Sequence, residues 1–560
     1  MHLLSRSERT LQRELSAAAM IPLTAHVDAH VARTRAGDYV QTLRLGGISF
    51  ESADDEDINN WHERLNVLLR NIASPHLALW THVVRRRELG YPTGRTVPGF
   101  AGEVEQRYRQ KMAGQRLMVN ELYLSTVFRP QSTRVGNAAL RLLKRTDSEG
   151  ERAELRDSLD LCDKLRQELL VALERYDPQP LGIYQPEDSG SLCSSLAEFY
   201  GLLINGEWQR MPLTRAPLDE VLATTRPFFG HEAMEYRTGT QTRIGAFLGI
   251  KEYPTPTAPG MFDALLTAPF PFVLTQSFTF LAKGSATDMM SRQYRRMAAA
   301  GDLALSQAEE LKEALDDLAS NRFVAGDHHF SLHVLADVED GVGGRVHQPR
   351  LKQLNDHMAR ARYLLGDTGM VVAREDLALE AAFWAQLPGN FGYRSRKAPI
   401  TSRNFAAMSP FHNFPHGPRD RQLLGQRADD VHDPRGVSLL FLAARERPAQ
   451  SRWRQPTRRG TPHRRGSSWY GQDHPAGFLH GGHLQSPGCH PDHLRQGRGP
   501  AHPGAGTRRP VPAHPERRAD GLQSPATRRL DARQRRIHAA LAAPPGLAHA
   551  RRQPDGAPGG

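Results

Sequence analysis

The first 417 residues alternate between two hydrophobic rhythms. YVQTLRLGGISFES (39–52) reads as strand, turn, strand, and LALWTHVVRR (77–86) is an apolar run of strand length. Between them, DINNWHERLNVLLRNI (57–72) sets apolar residues three and four apart behind an acidic start, the spacing of an amphipathic helix. A helix is predicted near 101–115, then a strand in NELYLSTVFRP ending at Pro130. A long amphipathic helix follows across 147–175, with Leu155, Leu159, Cys162, Leu169 and Leu173 on its apolar side. A second series repeats the alternation. RIGAFLGIKEYP (243–254), PFVLTQSFTFL (271–281), HHFSLHVLAD (328–337) and GMVVARED (369–376) read as strands. Two helices across 285–320, one across 349–364 and one ending at AQLPG separate or follow them. The pattern predicts an α+β fold with mixed sheets and packed helices over residues 1–417, divisible into subdomains of about 1–210 and 211–417.

Composition changes abruptly after this region. Up to Pro418 the chain has 48 Lys and Arg against 50 Asp and Glu, whereas from Arg419 it has 25 Arg against 11 acids, so the net charge of +12 belongs to the tail. The last lysine is Lys397, and the tail is crowded with Arg, Pro, Gly, Ala and His. Residues 418–560 are therefore expected to be largely disordered, because a chain without apolar periodicity cannot offset the entropy of ordering. Three separated cysteines, Cys162, Cys193 and Cys489, with no CxxC pair, point to a reducing compartment and no disulfide framework. No window approaches the 18 apolar residues of a membrane span.

The folded part offers little chemistry. His328, His329 and His333 share one predicted strand, where alternation puts His329 and His333 on one face. Without a matching acid or cysteine they read as half-buried strand histidines, and no metal site is assigned. GSATD (284–288) reads as the cap of the following helix. No catalytic residue is assigned, and no nucleotide-binding loop is present in frame.

FWAQLPGNFGYRSRKAPITSRNFAAMSPFHNFPHG (383–417) resembles the segment that links the N-terminal domain to the motor in the CagE/TrbE/VirB family of type IV secretion and conjugative-transfer ATPases. NELYLSTVFRP, SLAEFYGLLINGEW (195–208) and QSFTFL (276–281) are similar to the same family's N-terminal domain. The resemblance implies a cytoplasmic ATPase, peripheral to the bacterial inner membrane and homo-oligomeric. Such an enzyme works with other secretion components to energise export of DNA or protein and assembly of the channel, using ATP and Mg at a P-loop.

That P-loop is absent as written but is permitted one reading frame away. Trp469 has the single codon TGG, so a one-base shift forces glycine there. Tyr470 then permits Thr, Gly471 Gly, Gln472 Lys and Asp473 Thr, while Gly466 permits Gly, completing G-x-x-x-x-G-K-T. In the same frame DRQLLGQ (420–426) permits TGNYWG and ERRADGLQSPA (516–526) permits NGEPTGFNPLQ, again as the family has them. The tail thus reads as an out-of-frame remnant of the start of a RecA-like domain. The chain is expected to bind no ATP, with Gln472 where the phosphate-binding lysine belongs, Asp473 where the hydroxyl belongs, and an end before any Walker-B strand. A non-enzymatic nucleic-acid-binding protein using the Arg-rich tail is the alternative. The scarcity of aromatics there, with none after Phe478, weighs against it. Translational recoding to a full-length enzyme remains open.

Overall fold

The computed structural model describes residues 16–88, 99–113, 117–130, 148–186, 189–237, 242–254, 257–299, 305–336, 347–414, 427–432 and 438–442. They divide between two units: one holds residues 16–86 and 120–414, the other the stretch 87–119 and the part of 415–523 that is described.

In the first unit the strands are β1 (Leu23–His26), β2 (Ala32–Thr34), β3 (Tyr39–Leu45), β4 (Leu77–Glu88), β5 (Leu117–Phe128), β6 (Pro178–Pro180), β7 (Ile183–Tyr184), β8 (Cys193–Ser194), β9 (Arg226–Phe229), β10 (Met234–Arg237), β11 (Thr242–Glu252), β12 (Phe272–Phe280), β13 (Ala325–Leu335), β14 (Val371–Arg374) and β15 (Ala398–Thr401). All but β7 and β8 join one sheet of order β1-β2-β3-β5-β4-β12-β13-β11-β10-β9, with β6, β14 and β15 paired to its flanks. The ladders are antiparallel, and the sheet crosses residue 210 without a break because β4 pairs with β12 from Ala78↔Thr279 to Arg85↔Phe272. Ends of β4 and β5 continue into the second unit. That unit also holds helix α2 (Phe100–Ala113) and a separate ladder of β16 (Arg427–His432) with β17 (Ser438–Leu442). This ladder forms around the apolar run SLLFL; otherwise the expectation for 418–560 lies outside the described residues.

The helices match the predicted periods closely. Helix α1 (Asp55–Asn71) is capped by Asp54, whose carboxylate accepts from the Asp57 amide. It buries Trp61, Leu65, Leu68 and Leu69, one stripe at three- and four-residue spacing. Helix α3 (Ser148–Ala172) buries Cys162 and Leu169, while α4 (Ser195–Asn205) is buried all round from Leu196 to Asn205, Glu198 and Asn205 among them. After α5 (Leu218–Val221) come α6 (Lys283–Ala299) and α7 (Leu305–Ala319), which pack on each other, and α8 (His347–Gly366), which buries Leu354, Met358, Ala361 and Leu365. Short helices α9 (Leu379–Ala385) and α10 (Ser402–Met408) complete the set.

Two of the local expectations fail for tertiary reasons. Residues 48–52 do not form a second strand; Ile48 makes only an isolated parallel bridge to His412, so its partner comes from the far end of the domain. GSATD does not precede α6 but lies inside its first turns, since the helix begins at Lys283 and Thr287 donates back to the Lys283 carbonyl.

Both faces of the sheet are covered, which is why its strands read as continuous apolar runs. Alternate residues enter two different cores. Leu79, Leu124, Leu274, Phe278, Phe330 and Leu248 join one core with α1, α3, α8 and α10. Trp80, Tyr123, Val273, Leu335 and Phe247 join the other with α4 and α9.

Candidate functional site: the strap from Leu379 to Phe414

Polar side chains interrupt the centre of this otherwise apolar sheet. His82, Thr275, Ser277, His329 and His333 are all at most 1% exposed, on strands whose neighbours are Trp, Leu and Phe. The histidines are thus fully buried rather than half-buried, because the sheet has no solvated face. His82, Ser277 and the neighbouring Gln276 meet residues 379–414, which cross the sheet as a strap of short helices, one strand and turns and bring backbone groups that must be satisfied inside the protein.

On the α4 side, the Trp80 indole donates to the Ala385 carbonyl at 3.3 Å and His82 Nε2 to Gln386 O at 2.8 Å. The Tyr200 hydroxyl donates to Pro388 O, and Asn390 Nδ2 to the carbonyls of Met20 and Trp384. Arg394 reaches between Trp80 and Phe391 and donates to Thr279 Oγ1 at 2.8 Å and Ser277 Oγ at 3.3 Å. Desolvation lowers its pKa to about 10. Arg129 lies 4.0 Å from the Phe391 ring centroid, so two guanidiniums share one aromatic ring. The strap then pairs as β15 with the start of β13 and passes to the other face. There Gln276 Nε2 donates to Met408 O, while the Thr81 and Ser409 hydroxyls are 3.0 Å apart.

Burial sets the protonation of the histidines. Desolvation lowers His82 to about 4, and its proton is used on Gln386 O while Nδ1 has no partner. His329 falls to about 3 through burial and the nearby Arg394 charge. His333, stacked on Phe247 at 4.1 Å, falls to about 3 through burial and the Arg243 charge. His328 lies on the opposite face against Phe405, bonded to the Tyr253 hydroxyl and Gln276. His82, His329 and His333 are neutral, buried groups, and His328 is a hydrogen-bonding and packing one. Among the described residues no cluster of three or more His, Cys, Asp or Glu side chains could hold a metal ion.

The strap ends in a tight knot. Ile48 N donates to Phe411 O at 3.0 Å, Asn413 N to Ile48 O at 2.9 Å, and Asn413 Nδ2 to Gly46 O at 3.0 Å. His412 Nδ1 sits 2.8 Å from Asp263 Oδ2. Burial raises the pKa of Asp263, and the hydrogen bond and charge of His412 counter part of that rise. Phe50 stacks on His412 at 5.1 Å, and Trp61 meets its edge. Neither Asp263 nor His412 could be linked from sequence: they stand 149 positions apart with no local motif.

The cavity beside this knot, lined by Thr81, Gln276, Asp263 and His412, has room for one or two waters, about 30 Å³. A nucleotide requires several hundred. The larger grooves along α3 are lined by residues such as Trp61, Arg64 and Arg175, or His76, Glu154 and Asp157, and neither contains a glycine-rich phosphate loop. The nucleotide-loop positions singled out in the sequence, Gly466, Trp469, Tyr470, Gly471, Gln472 and Asp473, lie outside the described residues.

Residues 179–396, which include the strap's first half, match the CagE, TrbE, VirB family, a component of the type IV transporter system. The chain belongs to the CagE, TrbE, VirB family. Residues 30–135 of this family member also match the N-terminal domain of the type IV secretion system ATPase VirB4/TrbE. It is 42% identical over 420 residues to the type IV secretion system protein virB4 of Bartonella quintana (strain Toulouse), covering 74% of this chain and 51% of that protein. It is 34% identical over 438 residues to the same-named protein of Brucella suis biovar 1 (strain 1330), covering 77% and 51%. With protein virB4 of Agrobacterium tumefaciens (strain 15955), identity is 35% over 408 residues, covering 72% and 49%. The chain thus spans about half the length of these relatives. The stretch read from sequence as a connecting segment is, over residues 383–414, an integral part of the family member's sheet domain.

Proposed function

We propose that this chain is the docking and assembly half of a type IV secretion ATPase, a domain of residues 1–417 followed by an out-of-frame remnant of the motor over 418–560. It works at the cytoplasmic face of the bacterial inner membrane, peripherally, among other secretion components, and its frame-restored counterpart is an oligomeric ATPase that drives export of DNA or protein. The observation that carries the reading is that family similarity runs over residues 30–135 and 179–396, whereas the whole sequence contains no Gly-Lys dipeptide and therefore no G-x-x-x-x-G-K-[ST] loop. Among the described residues no helix is long and apolar enough to cross a membrane. In the frame-restored protein, the loop underlying Gly466 to Asp473 would hold the phosphates of ATP and its Mg. In this chain Gln472 supplies no positive charge, Asp473 repels phosphate oxygens, and Trp469 resists the positive φ of a phosphate nest.

Two measurements test this. The nucleotide sequence around codons 415–422 should show that one base restores the family's frame. Purified 560-residue protein should bind and hydrolyse no more ATP than a version truncated at Gly417, beside a frame-restored gene as positive control. Magnesium-dependent turnover by the 560-residue chain above the truncated version would overturn the proposal.

A further inference from the structure

We infer that the Asp263–His412 pair is a catch: it holds residues 409–414 against the domain, and its release frees them as a unit while the sheet stays folded. The inference concerns the described domain and stands whether or not the tail is out of frame. Two features set this segment apart from the rest of the strap.

The first is strain. Phe411 has φ +56°, a left-handed conformation that a bulky side chain resists. Opposite it, Gly47 has φ +85°, and a Cβ there would stand 2.5 Å from Asn413 Cβ and 2.8 Å from Leu122 Cδ1. The segment is thus pressed against a turn with no room to spare. The second is the means of attachment. Upstream, Phe383, Trp384, Phe405 and Met408 are sunk in the two cores. The last residues are buried as well, with Phe411 against the first core and Phe414 against Phe50, and are in addition tied by a dense set of polar contacts: Gln276 and Thr81 on Ser409, two backbone hydrogen bonds to Ile48, Asn413 on Gly46 and Asn120, and His412 on Asp263.

The pair is the centre of this attachment. Asp263 begins a short 3-10 turn, Asp263–Thr267, and Gly260, with φ +78°, leaves room for its carboxylate: a Cβ there would lie 2.4 Å from Oδ2. His412 is held on one side by that carboxylate and on the others by Phe50 and Trp61. Without the carboxylate its buried N–H would lose its partner in an apolar cage, and the strain at Phe411 would favour detachment of the segment.

Native-state hydrogen exchange on the full 560-residue chain tests this. In the wild type the amides of Ile48 and Asn413 should exchange at least tenfold faster than those of Leu274 and Leu332 in the β12–β13 ladder. Asp263→Ala and Gly47→Ala should each accelerate Ile48 and Asn413 a further tenfold or more and leave the ladder amides unchanged. Asp263→Asn, which can still accept from His412, should give a smaller increase. Acceleration shared equally by the ladder would show that the segment does not move separately, and no acceleration would show that the pair does not hold it; either result overturns the inference. If the alanine variants do not fold, the wild-type ratio and Asp263→Asn decide the matter alone.

Discussion

Acidification from pH 7 to pH 5 should cost this domain about 5 kcal/mol of stability, through His82, His329 and His333. Each is buried as a neutral ring, with folded pKa values of about 4, about 3 and about 3 against 6.5 when unfolded. The folded values are depressed, so below pH 6.5 the unfolded chain binds a proton on each ring that the folded chain does not, and stability falls as pH falls towards 4. Each group contributes roughly 1.4 kcal/mol per pH unit in that window, so three together give a slope of about 4. Between pH 7 and pH 5 the loss is about 5 kcal/mol, against a total stability of roughly 5–15 kcal/mol for a typical domain. His62 and His26 are lowered in the same direction by burial, and Asp263, pushed up by burial, titrates the opposite way. The assay is urea unfolding followed by tryptophan fluorescence at pH 7, 6 and 5, with His333→Phe beside the wild type. The urea midpoint should fall steeply with pH, and the variant, whose new ring can stack on Phe247, should show a slope about one third smaller. Equal stability at pH 7 and pH 5 would refute the reasoning, because it would mean these rings can be protonated without leaving the fold.

Three further outcomes are expected from the packing. Gly326→Ala places a Cβ 2.4 Å from Phe278 Cζ, on a ring already stacked on Phe405 at 4.7 Å, and should destabilise by about 1–3 kcal/mol in a urea titration. Glu121→Gln removes the buried carboxylate that accepts from Arg86 at 2.9 Å and Arg44 at 3.4 Å. Burial pushes its pKa up, but the charges of Arg86 and Arg44 and the hydrogen bonds from Arg86 and the Tyr123 hydroxyl take it below the usual value. The variant should therefore be about 1–3 kcal/mol less stable at pH 7, with the gap closing as pH drops below about 4.5. Arg394→Lys keeps the charge but loses the planar fork between Trp80 and Phe391 and its bonds to Thr279 and Ser277, and should cost about 2 kcal/mol with altered Trp80 fluorescence.

Most of the elements, and the family, can be read from the residues alone. Apolar runs such as LALWTHVV and FVLTQSFTF mark strands buried on both faces, and the spacing in α1, α3 and α8 marks helices that bury one stripe, because these signals are local and repeat every few residues. The break in composition after Pro418 and the loop permitted in the shifted frame were also legible without coordinates. Tertiary structure alone decided what the polar residues within those strands are for. His82, Gln276 and Ser277 look like defects in apolar runs until residues 379–414 are laid across them, more than one hundred positions away, and their side chains are seen to satisfy its backbone and Arg394. In the same way, the positive φ of Phe411, the bridge from Ile48 and the meeting of Asp263 with His412 depend on crossovers and register between distant segments. A local pattern specifies which side of a strand is apolar; it cannot specify which distant carbonyl will arrive on that side, because that depends on chain topology and on the demand that every buried polar group find a partner.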